Sequence, residues 1–166
     1  MMLDLWERLH SIFDTPHEGH PEIEIAKLTP TALVSIINYL LTNSKNVETS
    51  FTMRQPFQQV VITSPTVITK FVASGAVIGE FWCSITLDEY ALPDMAVFID
   101  GPDYLALEYR MGPGWDPIAL IGLFEFLRMV KLIEPNARIG LSPEFFAHSW
   151  CDDFARTLKD YLNETA

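Results

Sequence analysis

Cysteine is scarce in this sequence. Only Cys83 and Cys151 occur among 166 residues, far apart and outside any C-x-x-C spacing. A secreted disulfide scaffold would use more, so the pair points to the reducing cytoplasm. Basic residues are also few: 11 Lys and Arg stand against 22 Asp and Glu, a formal net charge of −11. Repulsion from phosphate argues against nucleic acid as a direct ligand, and equally against an anionic membrane surface. The first residues, Met-Met-Leu-Asp-Leu-Trp-Glu-Arg, hold no basic region followed by an apolar run, so no signal peptide is expected. The most apolar segment, Ile118–Ile133, is cut by Glu125, Arg128 and Lys131 and is shorter than the ~20 residues of a membrane span. Repeats, low-complexity tracts and Ser/Gly linkers are missing too. One domain over residues 1–166 is the reading.

What is present is apolar and acidic. A content of 49% hydrophobic and 12% aromatic residues excludes a disordered chain. A chain of this length buries roughly two-thirds of its unfolded surface and needs neither disulfide nor metal to stand. The mean hydropathy of +0.16 is high for a soluble protein. It implies an unusually complete core, or apolar surface kept for a partner or a second copy. The charge is uneven: residues 1–75 carry seven acids and five bases, residues 76–166 fifteen and six.

Four dipeptides pair a capping residue with proline: Thr29-Pro30, Ser64-Pro65, Asp116-Pro117 and Ser142-Pro143. The first side chain can accept an orphan amide of a first helical turn, and proline lacks a donor there. Each pair is expected to open a helix. Leu33, Ile36, Ile37, Leu40 and Leu41 then share one face, as do Val67, Ile68, Phe71 and Val72 before Gly75. The longest helix runs from Pro117 to about Glu134, where Pro135 stops it. Its polar residues Glu125, Arg128 and Lys131 form one stripe, so it is expected to lie buried against a sheet. Gly122 would let another element approach its backbone. Leu3–Phe13 and Asp152–Leu162 read as terminal helices.

Between Gly75 and Gly112 the period changes to two. Phe81, Cys83, Ile85 and Leu87 alternate with polar or aromatic neighbours, then Met95, Val97 and Ile99, then Leu105, Leu107, Tyr109 and Met111. Leu92-Pro93-Asp94 and Asp100-Gly101-Pro102-Asp103 are the turns. Three such strands make an antiparallel meander. Glu22–Ile25 reads as an edge strand, Phe51 and Met53 suggest another, and Arg138–Leu141 a short one more. The expected fold class is α+β: an antiparallel β-meander with a long central helix on one face and additional flanking helices. Leu120, Phe124 and Leu127 are expected in the core.

Few residue groups suggest chemistry. His17-Glu18-Gly19-His20-Pro21-Glu22 offers two imidazoles and flanking carboxylates, but the spacing is not H-E-x-x-H, and Gly19 and Pro21 make it a loop. No metal and no cofactor are expected. Gly112–Pro117 precedes a helix, yet Asp116 would cap the free amides itself, and no Lys or Arg follows as in a phosphate loop. Cys151 lies three residues after His148, but Asp152, Asp153 and Glu144 would raise its thiol pKa rather than activate it. Cys83 reads as a buried structural cysteine. No carboxylate pair sits in a recognisable glycosidase arrangement.

Asp88–Asp116 is the notable segment. Asp88, Glu89, Asp94, Asp100, Asp103, Glu108 and Asp116 face only Arg110, and Tyr90, Tyr104 and Trp115 are interleaved. Acids steer a basic partner from a distance and aromatics anchor it. The expected partner-binding residues are Asp88, Glu89, Asp94, Asp100, Asp103, Tyr104, Glu108 and Trp115.

The stretch Asp103–Leu127 is a strand ending in Tyr-Arg-Met-Gly-Pro-Gly-Trp-Asp-Pro and running into an apolar helix. With the acidic α+β character and the lack of a catalytic signature, it resembles the immunity proteins that bacteria encode beside polymorphic or contact-dependent toxins. The resemblance is one of general character, so no site residues come with it. It implies a non-enzymatic, stoichiometric inhibitor that covers or distorts the active site of a cognate basic toxin domain. A phage-derived inhibitor would look much the same, and a small cytoplasmic enzyme is the alternative class.

Overall fold

The computed structural model of the chain describes residues 2–166 except 17, 18, 55, 56, 61–63, 65, 69, 71–73, 75, 76 and 88. Two of the cap–proline pairs open long helices as their chemistry requires. Helix α1 spans Met2–Phe13, strand β1 Glu22–Ala26 and helix α2 Pro30–Asn43, where the Ala32 amide donates to Thr29 Oγ1 at 3.1 Å. Helix α3 spans Pro117–Ile133, and its Ala119 amide donates to Asp116 Oδ1 at 2.7 Å. At Ser64, residues 66–68 and 70 are helical and the Ile68 amide donates to the Ser64 carbonyl at 3.0 Å. Phe71, Val72 and Gly75 lie outside the described residues.

Ser142-Pro143 departs from the expectation. It begins a single turn, closed by the Phe145 amide on the Ser142 carbonyl at 3.3 Å, and the chain then bends so that Phe146 is buried. Helix α4 starts only at His148 and runs to Glu164, with no side-chain cap at Ala147. The Ser142 amide donates to the Glu22 carbonyl of the sheet at 2.9 Å, and Phe146 is buried, so tertiary contacts hold the turn at both ends.

The remaining strands are β2 (Ser44–Arg54), β3 (Phe57–Val60), β4 (Val77–Leu87), β5 (Tyr90–Ala91), β6 (Met95–Ile99), β7 (Leu105–Tyr109) and β8 (Arg138–Leu141). They form one antiparallel sheet in the order β3-β2-β4-β6-β7-β1-β8, with short β5 attached to β4. The meander is β4-β6-β7. Strand β1 is not an edge, because β8 pairs with its free side. The fold class is α+β.

Register sorts the side chains into two faces. Ile23 lies opposite Leu107, which lies opposite Val97, and all three are fully buried. Ile25, Leu105 and Ile99 form the next row. Over this face lie the helices, which touch one another as a layer: α1 meets α3 and α4, and α2 meets α3. Leu120, Phe124 and Leu127 of α3 are fully buried there. Gly122 has the role its position suggested: a Cβ added to it would lie 2.5 Å from Tyr90 Cβ, so β5 crosses α3 where there is no side chain. Among the described residues no helix is long and apolar enough to cross a membrane.

Candidate functional site

The second face of the sheet carries Glu22, Glu24 and Glu108, with Arg138 of β8 on the same side. Alternation along β1 turns Glu22 and Glu24 to this side while Ile23 and Ile25 enter the core. Pairing with β7 then sets Glu22 directly opposite Glu108, and Glu24 opposite Ala106. Like charges directly opposite each other in an antiparallel pair destabilise it. Burial raises the pKa of Glu22, and the charges of Glu108, Glu24 and Glu144 raise it further.

Neighbours moderate part of this repulsion. His20 Nδ1 lies 2.5 Å from Glu108 Oε1, a pairing that gives the histidine loop a partner for its imidazole. His17 and Glu18 lie outside the described residues. The Tyr104 hydroxyl donates to Glu24, and burial, with the charges of Glu24, Glu22 and Asp100, pushes its pKa up to about 12. Tyr104 is half-buried, with its polar end among carboxylates, and Phe98 is half-buried on the same face.

The residues expected to bind a partner separate into three groups. Glu108 and Tyr104 belong to this face. Asp100 and Asp103 are exposed at one end of β6 and β7, while Asp94 is exposed at the other end of β6 and accepts from Ser84 Oγ. At ~3.3 Å per residue the six steps from Asp94 to Asp100 separate them by roughly 20 Å. The face between them, rather than the meander's turns, is what joins them. Glu89 is exposed in the β4–β5 turn, next to Tyr90, which meets α3 on the helix side. Asp88 lies outside the described residues.

Trp115 is a correction. It is only 3% exposed, so it offers no side-chain surface to a partner. Its ring packs 4.7 Å from Phe13 and 5.4 Å from Tyr109, and its Nε1–H donates to the Arg110 carbonyl at 2.9 Å. The Tyr109 hydroxyl donates to the Ile12 carbonyl at 3.1 Å. These rings seal the end of α1 against the β7–α3 connection.

Glu22, Glu24 and Glu144 are the acids that the sequence reading did not select. The alternation Glu-Ile-Glu-Ile was visible, but nothing local to it revealed that β1 pairs with a strand more than eighty residues away. The two thiols offer no activated nucleophile. Burial pushes Cys83 up to about 11, with Asp94 adding to it against a hydrogen bond from Ser44. Cys151 is raised by burial, by Asp152 and by Glu24, and its thiol lies 3.8 Å from the Leu141 carbonyl. Among the described residues, no three His, Cys, Asp or Glu side chains are grouped as metal ligands. No family model, curated protein or solved structure matches this chain.

Proposed function

We propose that this protein is a stoichiometric inhibitor of a basic protein, of the bacterial toxin-immunity kind, and that it docks through the β1–β7 face of its sheet. The observation that carries this reading is Glu22, set opposite Glu108, with its pKa raised by burial and by the charges of Glu108, Glu24 and Glu144. Such an arrangement costs stability in the free protein, and a cationic partner would offset that cost on binding. Tyr104, with its hydroxyl on Glu24, and the half-buried Phe98 are aromatic contacts on that face. On this reading the activity is binding, and it is supported by two thiols whose pKa burial and neighbouring carboxylates raise rather than lower. The cytoplasm is the compartment that fits a chain with two free thiols.

The experiment is co-expression with the product of the neighbouring reading frame, purification of the pair, and measurement of both rate constants. Neutralising Glu22, Glu24 and Glu108 together to glutamine is expected to slow association, and Tyr104→Ala to speed release. The same neutralisation reads out on the free protein. Glu22 has a folded-state pKa above its unfolded value, so its contribution to stability is complete below the unfolded value and is lost as pH rises through the folded one. Glu22→Gln is therefore expected to be more stable than the parent at neutral pH, by roughly 0.2–1 kcal/mol, with the gap closing in acid. A partner whose binding ignores the triple change would overturn the assignment of this face.

A further inference from the structure

Beside the acidic face lies a surface pocket of ≈ 260 Å³ lined by Pro21, Met111, Phe145, Phe146 and Trp150, among others. That is less than the roughly 300–1,000 Å³ of pockets that hold whole small-molecule ligands, and suits a single side chain better. The pocket is built where three connections meet. The Pro21 carbonyl accepts from the Tyr109 amide at 3.0 Å, and the Glu22 carbonyl from Ser142 at 2.9 Å, which fixes the β1 entrance against both neighbours. Phe146 is buried and forms the floor, Trp150 lies 5.9 Å from it, and Phe145 is 44% exposed on the rim.

Two carboxylates adjoin lining residues in the chain, as does the exposed Arg110, which precedes Met111. Glu22 follows Pro21 in the chain, Glu144 precedes Phe145, and the two are close enough for Glu144 to act on Glu22. His20, on the other side of Pro21, holds Glu108. We infer that this pocket seats one apolar side chain, aromatic or large aliphatic, of a protein segment in which lysine or arginine flanks that side chain. The inference rests on the proposed docking of a basic partner and adds where its anchor goes. A second copy of this chain would bring −11 of like charge to the same rim.

Blocked tripeptides test it on the intact protein, by titration followed through backbone amide shifts. Lys-Phe-Lys is expected to move the amides of Phe145–Trp150 and Met111. Lys-Ala-Lys should bind more weakly by roughly tenfold or more, because burying a phenylalanine side chain is worth more than a decade of affinity. Glu-Phe-Glu should not bind. Phe145→Ser and Glu144→Lys alter exposed residues, and each is expected to weaken Lys-Phe-Lys severalfold with the other amide shifts unchanged. Equal binding of Lys-Phe-Lys and Lys-Ala-Lys would overturn the apolar seat, and binding of Glu-Phe-Glu as strong as Lys-Phe-Lys would overturn the cationic flank. Self-association at the same amides without peptide would make the occupant a second copy and overturn the inference. With the natural partner in hand, the two proposals part. Slower association on neutralising Glu22, Glu24 and Glu108, with release unaffected by Phe145→Ser, leaves the docking face standing and removes the pocket.

Discussion

At the scale of single residues, Gly122 sets two opposing terms against each other. Alanine in a helix interior is favoured over glycine by about 1 kcal/mol. Here, however, the new Cβ would meet Tyr90 Cβ at 2.5 Å, an atom fixed close to the β5 backbone that cannot swing aside like a side-chain tip. Overpacking of this kind costs about 1–3 kcal/mol. Gly122→Ala is therefore expected to be neutral to destabilising by about 2 kcal/mol in denaturant unfolding, and a clear stabilisation would mean that β5 is not held against α3. Gly79 is stricter still. Its φ is +149° and an added Cβ would lie 2.3 Å from the Ser50 carbonyl oxygen, so β2 and β4 approach each other only because that side chain is missing.

Between elements, α3 meets α4 through Phe124, packed on Phe154 and Tyr161, and through the carboxylate of Glu125. Glu125 accepts from Arg128 Nη2 at 2.7 Å within α3, and from the Tyr161 hydroxyl of α4. Burial alone would raise its pKa, but the hydrogen bonds of Arg128 and Tyr161 and the charge of Arg128 outweigh burial and lower it. A lowered folded-state value means stability present above the unfolded pKa and lost as pH falls through the folded one. Glu125→Gln is expected to cost about 1 kcal/mol at pH 7, below the roughly 1.5–3 kcal/mol of charged hydrogen bonds because the Glu125 side chain is 29% exposed and partly screened. Unfolding at pH 7 and again well below the ordinary carboxylate range checks the sign: the parent should lose its advantage in acid. An unchanged gap would mean that packing, not ionisation, ties the helices together.

Over the whole molecule, the proposed docking assigns long-range attraction to the charge of −11 and contact to the pocket and Tyr104. Association with a basic partner is expected to slow as salt rises from ~0.01 M, where the screening length is about 30 Å, to ~0.15 M, where it is about 8 Å. Dissociation should change less, since packed contacts hold the complex once formed. Stopped-flow mixing across that range separates the two. An association rate indifferent to salt would reduce the acidity to a means of keeping an apolar domain in solution.

Much of this architecture could be read from the chain alone, because the forces behind it are local. Thr29 and Asp116 cap helices with their own side chains, and Pro135 cannot continue one. Period-two apolar residues specify β4, β6 and β7, and short turns leave them no choice but to pair in sequence. Leu120, Phe124 and Leu127 had to be buried because a helix so apolar needs a large partner surface. Other features depended on residues distant in sequence. Strand β1 became an interior strand only through β7 and β8, and that pairing moved Glu22 and Glu24 into line with Glu108. Ser142-Pro143 opened only a turn, with the Ser142 amide bonded to β1, and the terminal helix expected from Asp152 begins four residues earlier at His148. Trp115, an aromatic among acids in the chain, is surrounded in space by Phe13 and Tyr109. Caps, turns and alternation are settled by neighbours a few residues away; which acids share a face, and which aromatics reach solvent, is settled by strand register across the sheet.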